Sequence, residues 1–94
     1  MAIYSSGEVL LLSFPFSDAT ASKRRPALVL LDTGDKDMVV ARITSQIYQT
    51  PFDVQLDEWK TAGLMLPSVV RVHKLATLQK SLVERRLGKL TLRD

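Results

Sequence analysis

The sequence predicts a mainly β domain, a small antiparallel barrel of five or so short strands with two short helical pieces. Short apolar runs recur along the chain, and clusters of Pro, Gly, Asp and Ser break them at turn-like intervals. Strands that follow one another closely, with turns between most of them, favour antiparallel pairing. Ninety-four residues, 46% apolar and 24% charged, make one soluble-type domain spanning 1–94. A chain this long buries roughly two thirds of its unfolded surface, enough for one core without staples.

Each element has its own signal. Glu8 to Phe14 is nearly continuous in Val, Leu and Phe, which suits a strand buried on both faces. Pro15 lacks an N–H and should end it. Ser17 to Arg25 is polar and rich in small residues, so it reads as an exposed loop. Pro26 then opens a second strand, Ala27 to Leu31, closed by the turn signal Asp32-Thr33-Gly34-Asp35. Asp37 to Thr44 alternates around Val39, Ala41 and Ile43, again strand-like. Phe52, Val54 and Leu56 alternate with Asp53 and Gln55, the pattern of a strand with one wet face.

Asp57 to Ala62 reads as a helical turn, with Asp57 as N-cap and Gly63 as stop. Pro67-Ser68 leads into a strand through Val69, Val70 and Val72. Leu78, Leu82 and Leu87 fall near helical spacing and Gly88 follows, so a short helix is expected over 78–87. Thr91-Leu92-Arg93-Asp94 matches a helix start signal where the sequence stops, and the expectation is that a C-terminal helix is absent.

Composition narrows the chemistry. There is no cysteine, which removes disulfides, thiolate metal sites and a Cys nucleophile. With a single histidine, a zinc site is not expected, nor is any other metal or cofactor. The apolar runs fall far short of the ~20 residues that span a bilayer, so no membrane association is expected. The first residues lack the basic flank of a signal peptide, and a cytoplasmic location follows. Charge is uneven: seven basic and two acidic residues lie between Arg71 and Asp94, six acidic and two basic between Asp32 and Glu58. That polarity fits a polyanionic partner, an acidic protein or simply a solvated surface.

Three places combine basic and hydroxyl groups at strand ends. At Lys23-Arg24-Arg25-Pro26, the proline pushes Arg25 into an extended conformation, which aims a guanidinium fork at a strand entrance. A solvated loop end fits the same residues. At Thr44-Ser45-Gln46, two hydroxyls and a carboxamide directly follow a strand, where they can meet phosphate, ribose or base edges or merely turn the backbone. Along Ser68 to Lys74, alternation puts Arg71 and His73 on one face about 7 Å apart, with Val70 and Val72 on the other. An imidazole beside an outward Arg can move a proton near neutral pH, although most lone histidines are packed or solvated. Tyr48 and Phe52 are candidates to stack on unpaired bases, with core packing the commoner fate of Phe52.

In order, Gly7-Glu8-Val9, Phe14-Pro15-Phe16, Arg24-Arg25-Pro26-Ala27-Leu28-Val29-Leu30, Ile43-Thr44-Ser45-Gln46, Pro67-Ser68-Val69-Val70-Arg71-Val72 and Leu75-Ala76-Thr77-Leu78 resemble the MazF/PemK (Kid)-type toxins. The likeness spans Gly7 to Leu90. It implies an SH3-like barrel working as a homodimer, the toxin of a type II toxin–antitoxin pair. It also implies a metal-independent, sequence-specific endoribonuclease (an mRNA interferase) that cuts single-stranded RNA through its own 2′-hydroxyl. A small acidic antitoxin is implied as partner.

By position, Arg25 matches the family's Arg before Pro, Thr44 the Thr after the third strand, and Arg71 an Arg that some members use as general acid. His73 stands where those members carry an Asp thought to act as base. The expected catalytic set is therefore Arg25, Thr44, Arg71 and His73, with Lys23, Arg24, Ser45, Gln46 and Tyr48 binding RNA. The alternatives are a non-catalytic barrel that binds nucleic acid or protein, and a topoisomerase-directed toxin of the same fold.

Overall fold

A computed structural model describes residues 3–15, 22–46 and 49–90, with the side chains of 14, 15, 22 and 23 outside that description. Six strands are present among the described residues: β1 (Glu8–Pro15), β2 (Ser22–Asp32), β3 (Asp37–Thr44), β4 (Asp53–Gln55), β5 (Val69–Gln79) and β6 (Val83–Lys89). They form one sheet in the order β4-β5-β3-β2-β1-β6, antiparallel throughout. The expected mainly β, antiparallel architecture is what the chain adopts. Among the described residues the ladder keeps two end strands, β4 and β6, so its hydrogen bonding does not close. No helix among them is long and apolar enough to cross a membrane.

Both faces of the sheet are buried, as the near-continuous apolar runs require. Strand alternation sends Val9, Leu28, Ala41, Ile43 and Val70 to one side, where they pack with Leu56, Trp59, Ala62 and Leu64. On the other side, Leu10, Leu12, Ala27, Val29, Met38 and Val40 pack with Tyr4, Ala76, Leu78, Leu82 and Val83. Each fully buried Leu or Val of this kind contributes about 1.5–3 kcal/mol relative to exposure.

The turn after β4 joins the two ends of the sheet. The Gly63 N–H bonds the Lys60 carbonyl and the Leu64 N–H bonds the Trp59 carbonyl, the paired bonds of a Schellman stop. Gly63 takes φ +86°, as that stop requires. The expected helical turn ending at Gly63 is therefore present. It rests on β6 backbone to backbone: a Cβ built on Gly63 would fall on the Leu87 carbonyl, and one on Gly88 would lie 2.5 Å from the Ala62 carbonyl carbon.

The helix expected over 78–87 is absent. Leu78 belongs to β5, Lys80–Leu82 form one 3-10 turn, and the rest is β6. β6 pairs with β1 through two irregularities, Leu12↔Val83 followed by Leu11↔Arg85, and Leu10↔Arg86 followed by Val9↔Gly88. Glu84 and Leu87 are the extra residues. These bulges and the 3-10 turn reset the two-residue period and leave leucines four and five apart, which imitates a helix. The tertiary reason is β1, whose second edge needs a hydrogen-bonding partner.

The expected loop from Ser17 to Arg25 is shorter, because β2 begins at Ser22. Residues 22–26 pair with β1 alone, and pairing with β3 starts at Ala27. Pro26 therefore sits where the strand has one neighbour, which is where a residue without an N–H is tolerated. Ser17–Ala21 and Thr91–Asp94, the site of the helix start signal, lie outside the described residues.

One buried ion pair anchors the end opposite Thr44. Lys80 Nζ lies 2.8 Å from Asp32 Oδ1, with both side chains over nine-tenths buried. The Lys80 ammonium first, then the Tyr4 and Gly34 amides, bring the Asp32 carboxyl down to about 2 from 3.8. A depressed carboxyl stabilises the fold fully above its unfolded value and loses that contribution as pH falls through the folded one. Thermal melts should therefore show the melting temperature dropping between about pH 4 and pH 2. Asp32→Asn should lower the melting temperature at pH 7 and lose part of that acid dependence. Parallel pH profiles for the two proteins would refute the assignment.

Candidate functional site

The far ends of β2 and β3 carry the predicted residues. The register pairs Ala27 with Arg42, the last β2–β3 pair, and Arg25 and Thr44 lie two residues beyond it on their strands. Arg42 in turn faces Arg71 on β5, and Arg71 faces Asp53 on β4. The register thus sets Arg42, Arg71 and Asp53 in one row, and alternation along β3 puts Thr44 on the same face as Arg42. Arg71 is two strands and two residues from Arg25, about 12 Å at Cα.

Arg71 is fixed. Its Nε donates to Asp53 Oδ1 at 2.9 Å, and the two side chains are only 14% and 1% exposed. The Thr50 hydroxyl first, and then Arg71, hold the Asp53 carboxyl below the usual range, while burial pushes the other way. Asp53 was expected on the wet face of its strand. It is instead the buried member, and Phe52 and Val54 are exposed. The charge partner on the neighbouring strand inverts the pattern that hydrophobicity alone suggested.

After Arg71 the ladder breaks. Arg42↔Arg71 is followed by Ala41↔Leu75, so Val72, His73 and Lys74 bulge out of β5. Val70 is buried, whereas Val72 is 42% exposed. The regular alternation expected to carry His73 to Arg71's side is interrupted. His73 is exposed on the bulge, its ring 5.4 Å from Phe52 and tilted by 54°.

A groove of about 330 Å³ opens beside this face. Arg24, Arg25, Thr44 and Ser45 line it together, with Pro26, Ile43 and Leu11 below and Met65, Leu66, Ser68 and Arg85 around them. The Thr44 hydroxyl accepts the Gln46 N–H at 3.1 Å and keeps its own hydrogen to donate. Arg24 spans β1 to reach Glu84 at 3.0 Å, an exposed pair that adds little stability. Arg71 and His73 are not among the lining residues. Tyr48 and the Lys23 side chain lie outside the described residues.

The sequence reading passed over Asp53, Arg42 and Arg85. Asp53 had a signal: Thr50 and Asp53 bracket a turn in which the Thr50 hydroxyl donates to Asp53 and accepts the Phe52 N–H. Arg85 was hidden by the helix expected over its segment.

A search of curated proteins by sequence found no match. Among solved structures, an endoribonuclease from a mycobacterial species superimposes with TM-score 0.77 at 20% identity, covering 99% of this chain and 81% of the other. An endoribonuclease in complex with its cognate antitoxin, also mycobacterial, gives 0.78 at 19% over 97% and 82%. Mycobacterium tuberculosis toxin MazF-mt6 gives 0.74 at 24% over 92% and 82%. At these identities the likeness establishes the fold. The family model described as "PemK-like, MazF-like toxin of type II toxin-antitoxin system" matches residues 5–94, nearly the whole sequence. The chain therefore belongs to the PemK-like, MazF-like toxin family of type II toxin–antitoxin systems.

Proposed function

We propose that the protein is the toxin's catalytic unit, a metal-independent, sequence-specific endoribonuclease that cuts single-stranded mRNA in the cytoplasm as a homodimer. The observation that carries this reading is the open groove that Arg24, Arg25, Thr44 and Ser45 line together.

RNA can supply its own nucleophile. The 2′-hydroxyl loses its proton and attacks the adjacent phosphorus; the bond from phosphorus to the 5′-oxygen breaks, and that oxygen takes up a proton. The products are a 2′,3′-cyclic phosphate and a 5′-hydroxyl. One proton must be accepted, another supplied and charge on the five-coordinate phosphorus offset. His73 accepts the 2′ proton and passes it on to solvent, and a solvent water gives the departing 5′-oxygen its proton. Arg25 and Arg71 offset the phosphoryl charge, and Thr44 with Ser45 orients phosphate or ribose. Arg24, Lys23, Gln46 and Tyr48 hold the flanking strand. Arginine keeps its protons above about pH 12, so its role here is electrostatic. A small acidic antitoxin covers the same basic surface, since a polyanionic strand and an acidic peptide seek the same charges.

Incubation of the purified protein with end-labelled single-stranded RNA in excess chelator tests the reading. Discrete cuts bearing 5′-hydroxyl ends are expected. Retardation without cuts would leave a binding module. His73→Ala should slow cleavage about 100-fold or more while RNA affinity holds. An unaltered rate removes His73 from the mechanism.

A further inference from the structure

The groove continues past the residues that do the chemistry. Beyond Arg25 and Thr44 it is lined by Met65, Leu66, Arg85 and Leu87, which the cleavage step leaves unused. Met65 is 91% exposed and Leu66 58%, a large apolar surface to leave in water beside a basic groove. The backbone beneath them is held. The hydroxyl of buried Ser68 donates to the Leu66 carbonyl at 2.8 Å, and the Gly63 turn abuts Leu87. A shelf already fixed in place loses little freedom when something docks on it.

Arg85 faces that shelf. It pairs with Leu11, which pairs with Pro26, so the three form a row across the groove floor, with Pro26 and Arg85 about 10 Å apart at Cα. Arg24, Arg71 and Arg86 each share an ion pair with a carboxylate, whereas no ion pair among the described residues holds Arg85. An uncompensated guanidinium beside a bare apolar shelf matches the two parts of one nucleotide, its phosphate and the face of its base. The floor is the face of paired strands, which offers an extended peptide few backbone partners and so favours a nucleotide.

We propose that Arg85 and the Met65–Leu66 shelf form a subsite for one nucleotide of single-stranded RNA flanking the scissile phosphate. Arg85 takes its phosphate and the shelf takes its base. The subsite rests on the ribonuclease reading above and adds to it a determinant of sequence preference.

A random single-stranded RNA pool is cut with wild-type protein, Arg85→Gln, Arg85→Lys, Met65→Ser and Leu66→Ser, and the ends are sequenced. Binding is measured on one oligonucleotide from that pool carrying a 2′-deoxy residue at the cut position. For Arg85→Gln, KM and Kd should rise about tenfold with kcat nearly unchanged, and the salt dependence of binding should lose about one unit of slope. Arg85→Lys should keep that slope. The two serine variants should weaken binding about tenfold and relax base preference at a single position beside the cut. Melting curves confirm that each exposed-site variant is folded. Unchanged KM, Kd and salt slope in folded variants would overturn the subsite while leaving the ribonuclease in place. So would weakened binding of an acidic antitoxin peptide with RNA constants intact. Wild-type protein that cuts no RNA would end the ribonuclease reading itself, and the subsite with it.

Discussion

Arg25→Ala should lower the rate of RNA cleavage by about 100- to 1000-fold while the melting temperature moves by a few degrees at most. The size of the effect follows from where the backbone puts this residue. Pro26 holds Arg25 extended, β1 pairs it with Leu12, and it lines one groove with Thr44. A guanidinium placed in advance has little reorganisation left to do when charge builds on phosphorus, and its loss is felt in kcat more than in KM. The fold should tolerate the change because Arg25 lies beyond Ala27, outside the β2–β3 ladder, and belongs to neither buried cluster. Arg25→Lys keeps one charge and loses the fork, so it should recover part of the rate. A folded Arg25→Ala protein with full activity would refute the assignment.

Arg71 bears on the same step in a different way. Its pairing with Asp53 offsets part of its charge and fixes its direction, which suits a group that positions phosphate over one that clamps it tightly. Its contribution should therefore be smaller than that of Arg25, whose place in the groove is direct.

How much of this was legible in the sequence depends on which physical signal each segment carried. β1, β2 and β3 were readable because both their faces are buried, and a continuous apolar run bounded by Pro, Gly and Asp has few other solutions. Asp57 to Gly63 was readable because a Schellman stop needs its glycine at one position. β6 was not, since its pattern is set by two bulges against β1, and a bulge leaves no trace in single-sequence periodicity. The same blindness affected the site. Arg25, Thr44 and Ser45 stand at the ends of readable strands and line one groove, whereas the bulge at Val72–Lys74, which decides where His73 points, depends on how β5 meets β3. Arg85 was lost with its strand. The partnership of Asp53 with Arg71 joins residues on two strands of unknown register, and only the folded sheet reveals it.

Gly63→Ala should destabilise the protein by more than about 4 kcal/mol, enough to leave a domain of this size largely unfolded at 37 °C. Two costs combine. The residue holds φ +86°, where an L side chain is strained by about 1–2 kcal/mol. Its new Cβ would also occupy the position of the Leu87 carbonyl, and backbone cannot swing aside as a long side chain can. Gly34→Ala separates the two terms. Gly34 has nearly the same φ, +87°, but nothing lies within 4 Å of its Cβ position, so only the strain remains. Melts of the two variants should differ by 10 °C or more, at roughly 4–8 °C per kcal/mol for a domain near this length. Gly88→Ala approaches the same contact from the other side, with its Cβ 2.5 Å from Ala62, and should resemble Gly63→Ala. If Gly63→Ala melts alongside Gly34→Ala, the turn after β4 does not rest on β6. The groove would then lose the support that fixes Leu64, Met65 and Leu66 beside the basic strand ends, and the geometry assigned to RNA binding would lose its shelf.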